Sequence, residues 1–165
     1  MAFNTLPHLL RHGLAECHDA ARQLLVLLDV IETSTDDGPL RERIRRHRDE
    51  ARRQIENAER CCELLGSPLP AGHSGVAREL AGVPRRFRDA EALPPLIAEA
   101  VVLDALIRLE RDLAVLYRGL GVQARTIGND DVNRLLEQCR AQCEDMAGMA
   151  EERRDRVLAE VYALR

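Results

Sequence analysis

The chain of 165 residues carries 24 basic and 28 acidic side chains, and its net charge of −4 argues against non-specific nucleic-acid binding. With 45% hydrophobic and 32% charged residues it is not a disordered chain, and its length suits a single domain, 1–165, with a full core. Aromatics are 2% and tryptophan is absent, so the core must be Leu, Val, Ile and Ala; no apolar run approaches the ~20 residues that cross a bilayer, which excludes a membrane-spanning helix.

A first helix is predicted over 6–32, with an inward seam of Leu10, Leu14, Cys17, Ala21, Leu24, Leu28 and Ile31 at steps of three and four. Residues 33–39 hold Ser, Thr, two Asp and a Gly-Pro pair, a turn. The second helix, 40–65, repeats the period through Leu40, Ile44, Ala51, Ile55, Ala58, Cys62 and Leu65, and stops at Gly66 with Pro68 and Pro70 just beyond. From 67 to 95 the long period is lost, apart from a short helix over 76–80. A third helix spans 96–120, residues 121–129 turn the chain, and Asn129-Asp130-Asp131 can cap a fourth, 130–163. That helix buries Val132, Leu135, Cys139, Cys143, Met146, Met149, Val157 and Val161. Two antiparallel hairpins joined by a long crossover give an all-α, ferritin-like four-helix bundle of up-down-down-up connectivity.

In such a bundle the informative residues are polar ones on the inward face, because burial costs free energy unless they are paired. His47 lies on the stripe of the second helix and Glu50 flanks it one turn on. Glu110 sits on a third-helix seam otherwise made of Leu103, Leu106, Leu113 and Tyr117, and the fourth helix offers Cys139, Gln142 and Cys143, with Arg153 further down. Pairing the helices about their loops places position 21 opposite 50, and 110 opposite 139–143. His47, Glu50, Glu110, Gln142 and Cys143 are thereby expected to meet. Two readings stand side by side: a remnant metal site on His47, Glu50 and Glu110, or a buried hydrogen-bonded cluster. A di-metal carboxylate centre needs a Glu from each of two helices and Glu-x-x-His from each of the others. Here the first helix has Ala21, the fourth has no histidine, and the second reads His-x-x-Glu with Arg53 at the required histidine spacing. No cofactor is expected; oxygen ligands with an imidazole would suit iron or manganese.

Three further groups carry blander readings. His8, His12 and Glu16 share a face turned away from the Leu10/Leu14 seam, as solvated side chains do. The five cysteines (Cys17, Cys61, Cys62, Cys139, Cys143) lack a C-x-x-C; without a signal segment the protein is expected to be cytoplasmic and its thiols reduced. Of the adjacent Cys61 and Cys62, one is expected to face outward. The arginines of the second helix (Arg41, Arg43, Arg45, Arg46, Arg48, Arg52, Arg53) are interleaved with acids, and aromatics for base stacking are missing, so nucleic acid is not an expected partner.

His47-Arg48-Asp49-Glu50, Gln54-Ile55-Glu56, Glu59 and Glu63-Leu64-Leu65-Gly66 resemble the second helix of the YciE/YciF family of bacterial ferritin-like proteins. His12, Asp19-Ala20 and Gln23-Leu24 fit its first helix, Leu109-Glu110 and Tyr117 its third, and Leu135-Leu136 its fourth. The resemblance implies a ferritin-like bundle with an extra short helix, a homodimer, an association with stress responses, and for some members a di-iron-type centre. Glu50 and Glu110 match carboxylates of that presumed site. Ala21 stands where the family places a glutamate, Gln142 and Cys143 where it places a pair, and Ala147 where it places an aspartate. The expected role is therefore a non-catalytic, stress-associated or partner-binding bundle with its di-metal site largely lost. The alternative is a metal-dependent oxidoreductase or iron-handling protein using Glu50, Glu110 and His47.

Overall fold

The computed structural model describes residues 5–85 and 93–163. The chain forms the long helices α1 (Leu6–Ser34), α2 (Gly38–Leu64), α4 (Pro95–Thr126) and α5 (Asp130–Ala163), with the short α3 (Gly75–Ala81) in the crossover. α1 packs on α2 and α4, and α5 packs on α4 and α2, so α2 and α4 face each other across the bundle axis. Side-chain pairs fix the directions. Arg45 reaches Glu32, Arg48 reaches Asp29 and His18 reaches Glu59, so α1 and α2 are antiparallel. Arg111 with Glu151 and Arg118 with Glu144 make α4 and α5 antiparallel. His47 with Glu110 and Tyr117 with Gln54 share one offset of 63 residues, so α2 and α4 run parallel. This is the up-down-down-up connectivity read from the sequence.

The seven seam residues of α1 are all fully buried, as are Leu103, Leu106, Leu109 and Leu113 of α4. Burying a Leu or Ile side chain is worth roughly 1.5–3 kcal/mol, so these stripes carry the fold. The helix ends follow local chemistry. Asp37 caps α2 by accepting the Leu40 N–H at 2.7 Å, and Ser74 caps α3 by accepting that of Ala77 at 3.2 Å. α2 and α4 both end in a glycine with positive φ, Gly66 (69°) and Gly128 (73°), whose neighbours return two N–H groups to the last turn. Asn129 then accepts the Val132 N–H at 3.0 Å, opening α5.

Two details differ from the sequence reading. α4 runs through Gly121, expected to start the turn, to Thr126: Gly121 continues the helix because its bare backbone lets Asn133 and Glu137 of α5 lie close, and the positive φ falls on Gly128 instead. Cys61 and Cys62 are both fully buried. The chain after α2 folds back, with Leu65 and Leu69 packed on the core, and covers the side on which a thiol was expected to face water. The crossover is pinned to α1: the Ser74 N–H donates to Asp19 at 2.9 Å, and a Cβ on Gly72 would fall 2.3 Å from the Ala15 carbonyl carbon. The predicted crossover continues through 86–92, outside the described residues.

Candidate functional site

Among the described residues the fully buried charged or titratable polar side chains of the bundle interior are His47 and Glu110, with Gln54 beside them. His47 projects from α2 because it holds the stripe position between Ile44 and Ala51; Glu110 projects from α4 between Leu106 and Leu113. Neither helix neighbours the other along an edge, so the two side chains meet through the centre. His47 Nε2 lies 2.6 Å from Glu110 Oε1, and Nδ1 lies 2.6 Å from Glu50 Oε2 one turn along α2. The imidazole thus stands between two carboxylates, one at each edge of the ring.

The electrostatics follow from that placement. Burial by itself disfavours a charged imidazole, but Glu110 and Glu50 outweigh it and lift His47 to about 9. For Glu50, partial burial pushes upward, yet the hydrogen bond and charge of His47, with Arg43 behind it, hold the carboxyl below its usual range. Arg43 extends the cluster outward. It donates to Glu50 at 3.1 Å and to Asp145 of α5 at 2.6 Å, and these acids hold its charge against the cost of burial. Glu110 Oε2, buried, accepts no hydrogen bond among the described residues.

A second polar layer lies one turn further down. Tyr117 donates to Gln54 Oε1 at 3.4 Å, and the Gln54 amide donates to Gln142 Oε1 at 3.2 Å. The Cys143 thiol points toward Gln54 Oε1 at 3.8 Å, and Asn57 donates to the Cys139 sulfur at 3.5 Å. Burial first, then the charge and hydrogen bonding of Glu110, raises Cys143 well above an ordinary thiol, and burial also pushes Cys61 to about 12 and Cys62 to about 11. These are packed, protonated thiols and not nucleophiles.

The structure therefore brings His47, Glu50 and Glu110 into direct contact, sets Cys143 between Glu110 and Gln54, and puts Gln142 one layer away, bonded to Gln54. The sequence reading missed Gln54, assigned to no seam while Ile55 was; the inward face of α2 takes Gln54 and leaves Ile55 half-buried. It also missed Arg43, taken for part of the outer arginine face. The expected level of α1 shifts too. Arg48 pairs with Asp29 and Arg45 with Glu32, a register that sets Leu27, rather than Ala21, level with Glu50. Both are buried and apolar, so α1 gives this layer no ligand. On the surface, His12 and Glu16 stand 3.5 Å apart on a half-exposed face. The α2 arginines are largely paired: Arg45 with Glu32 at 2.8 Å, Arg52 with Asp49 at 2.7 Å and Arg60 with Glu63 at 2.8 Å.

The donors do not suit a di-metal centre. The two nitrogens of one imidazole point in opposite directions, so Glu50 and Glu110, bonded at opposite edges, cannot join the ring around a common ion. No group of three or more His, Cys, Asp or Glu among the described residues is arranged to hold one.

Residues 5–160 match the model of a family described as a domain of unknown function, DUF892. No curated protein matches the sequence. Among solved structures, the stress protein YciF of Escherichia coli aligns with a TM-score of 0.85 at 16% identity, over 95% of this chain and 99% of that one. YcfI of Rhodopseudomonas palustris, described as a putative structural protein, aligns at 0.80 with 20% identity over 92% and 97%. A Xanthomonas campestris protein aligns at 0.70 with 19% identity, over 94% of both chains. At these identities the alignments speak for the fold alone, an all-helical bundle. The family match spans nearly the whole chain, and the chain belongs to the DUF892 family, of the YciE/YciF type.

Proposed function

We infer that this chain is a non-catalytic, stress-associated bundle of its family, working as a cytoplasmic homodimer that engages a protein partner. The observation that carries the reading is the position of His47. Its ring fills the gap between Glu50 and Glu110, with both nitrogens engaged at 2.6 Å. The positions at which the family resemblance places further acidic ligands carry Ala21, Gln142, Cys143 and Ala147, and Gln142 and Cys143 both contact Gln54. Among the described residues, burial raises the Cys143 thiol and the Tyr117 hydroxyl, which disfavours a thiolate or phenolate nucleophile in the interior.

The test is metal content. Protein expressed in iron- or manganese-supplemented medium and then desalted is expected to retain well under one ion per chain. Retention of two ions, abolished in a Glu50→Ala, Glu110→Ala variant, would establish the oxidoreductase or iron-handling alternative instead.

The dimer is read onto the outer face of α2, where Arg52 and Arg53 stand one to two turns before Glu56 and Glu59. Between them, on the outer face of the α1/α2 hairpin, lies a groove of about 390 Å³ lined by His18, Arg22, Leu25, Ile55 and Glu59. A two-fold axis at that groove would run two α2 helices antiparallel and bring Arg52 and Arg53 of one copy toward Glu56 and Glu59 of the other. No helix among the described residues is long and apolar enough to cross a membrane.

A further inference from the structure

Most charged side chains around the α1/α2 groove are committed within the chain: Arg48 to Asp29, Arg52 to Asp49, and Glu59 to His18. Arg22 of α1 and Glu56 of α2 are not. Both are exposed, and neither forms an ion pair or a hydrogen bond among the described residues. They stand at one level of the hairpin. His18 beside Glu59 and Asp29 beside Arg48 set residue 22 level with residue 55. Arg22 therefore lies across the groove from Ile55, and Glu56 follows Ile55 on α2, turned outward. The apolar floor between them is Leu25 and Ile55, and Val26, one turn from Arg22, is 53% exposed.

An unpaired cation and an unpaired acid on either side of one apolar side chain make a self-complementary surface. A second copy rotated by half a turn about Ile55 presents to each its opposite, whereas a peptide of one charge sign satisfies only one of the two.

We propose that Ile55 lies on the two-fold axis of the dimer and that Arg22 of each copy receives the Glu56 carboxylate of the other, so that α1 as well as α2 fixes how the copies meet. This rests on the reading above that the chain is a homodimer about that groove. The two symmetric ion pairs flank an apolar centre of Leu25 and Ile55 from both copies, which the contact removes from water. An isolated ion pair at a surface is worth little; here the same pair is made twice, beside side chains that exclude solvent.

Sedimentation equilibrium over a concentration series reads the dissociation constant of the dimer. Arg22→Glu should raise it at least about tenfold, because the change acts twice across the axis and sets acid against acid. Arg22 is exposed and unpaired in its own chain, so the variant should keep the native circular dichroism. Arg22→Glu combined with Glu56→Arg should dimerise more tightly than either single variant, as a pair with its signs exchanged does. The position of the axis is tested by Ile55→Cys and a short bis-maleimide. Thiols at position 55 should be joined across the axis into a species of twice the chain mass, whereas the native thiols, all buried, should not react. Tyr162→Cys, on the exposed last turn of α5, should react without joining two chains. A native dimer indifferent to Arg22→Glu, a double variant no tighter than both single ones, or a dimer that Ile55→Cys fails to join would overturn this proposal and leave the dimer standing. A native chain that sediments as a single copy would overturn both.

Discussion

At the scale of single residues, the sign of the pH dependence follows from His47 and Glu50. Below an ordinary imidazole value of 6.5 the ring is charged whether the chain is folded or not, and its stabilising contribution is complete. Between 6.5 and about 9 the unfolded ring has lost its proton and the folded ring has kept it, so that contribution declines with rising pH and is gone above about 9. A displacement of that size corresponds to on the order of 3 kcal/mol. Glu50, held below its usual range, works in the other direction: its contribution is present above that range and is lost as acid protonates it in the fold. Urea unfolding of native and His47→Gln protein should therefore show a stability gap that narrows as pH rises from about 6 to about 10. A gap that stays constant would remove His47 ionisation from the account. How much of this was legible in the sequence depended on one rule, that a polar residue on an apolar stripe is buried. It found His47 and Glu110. It missed Gln54, because Ile55 is apolar and drew the stripe one position outward, and it missed Arg43, because an arginine among six others looks like surface.

At the scale of elements, the long helices were readable because each buried stripe keeps its period for several turns. Their ends were less so. Gly121 looked like a stop and is a close-packing position; the glycine that turns the chain is Gly128. Side chains of α1 and α2 meet closer to the corner on α1 than the sequence suggested because each leans toward its own helix's N-terminus, so those of α1 reach away from the corner and those of α2 toward it. The crossover makes the sharpest prediction at this scale. Gly72→Ala pushes a methyl into the Ala15 backbone, which has no rotamer with which to yield. A loss of about 1–3 kcal/mol is expected, seen by circular dichroism as a midpoint lower by roughly 3–10 °C. Gly75→Ala, with nothing within 4 Å of the added Cβ, is the matched control and should leave the midpoint unchanged or slightly higher. Equal midpoints for the two variants would show that the crossover does not bear on α1 as described.

At the scale of the whole molecule, the neighbouring Arg52–Arg53 and Glu56–Glu59 groups of α2 have an observable result. Sedimentation equilibrium at about micromolar concentration should return twice the chain mass of 18.5 kDa. Glu56→Arg with Glu59→Arg should leave a folded monomer, since arginines would then face arginines across the axis. Mixing that variant with one carrying Arg52→Glu and Arg53→Glu should restore a dimer of the two. A native chain that sediments at 18.5 kDa would remove the dimer from the proposal.

The ring of His47 and the carboxylates at its two edges are links of one polypeptide. The contact across the bundle axis therefore cannot form until α2 and α4 of the same copy lie side by side at their offset of 63 residues, and a copy docked one turn out of step would leave both groups stranded in an apolar interior.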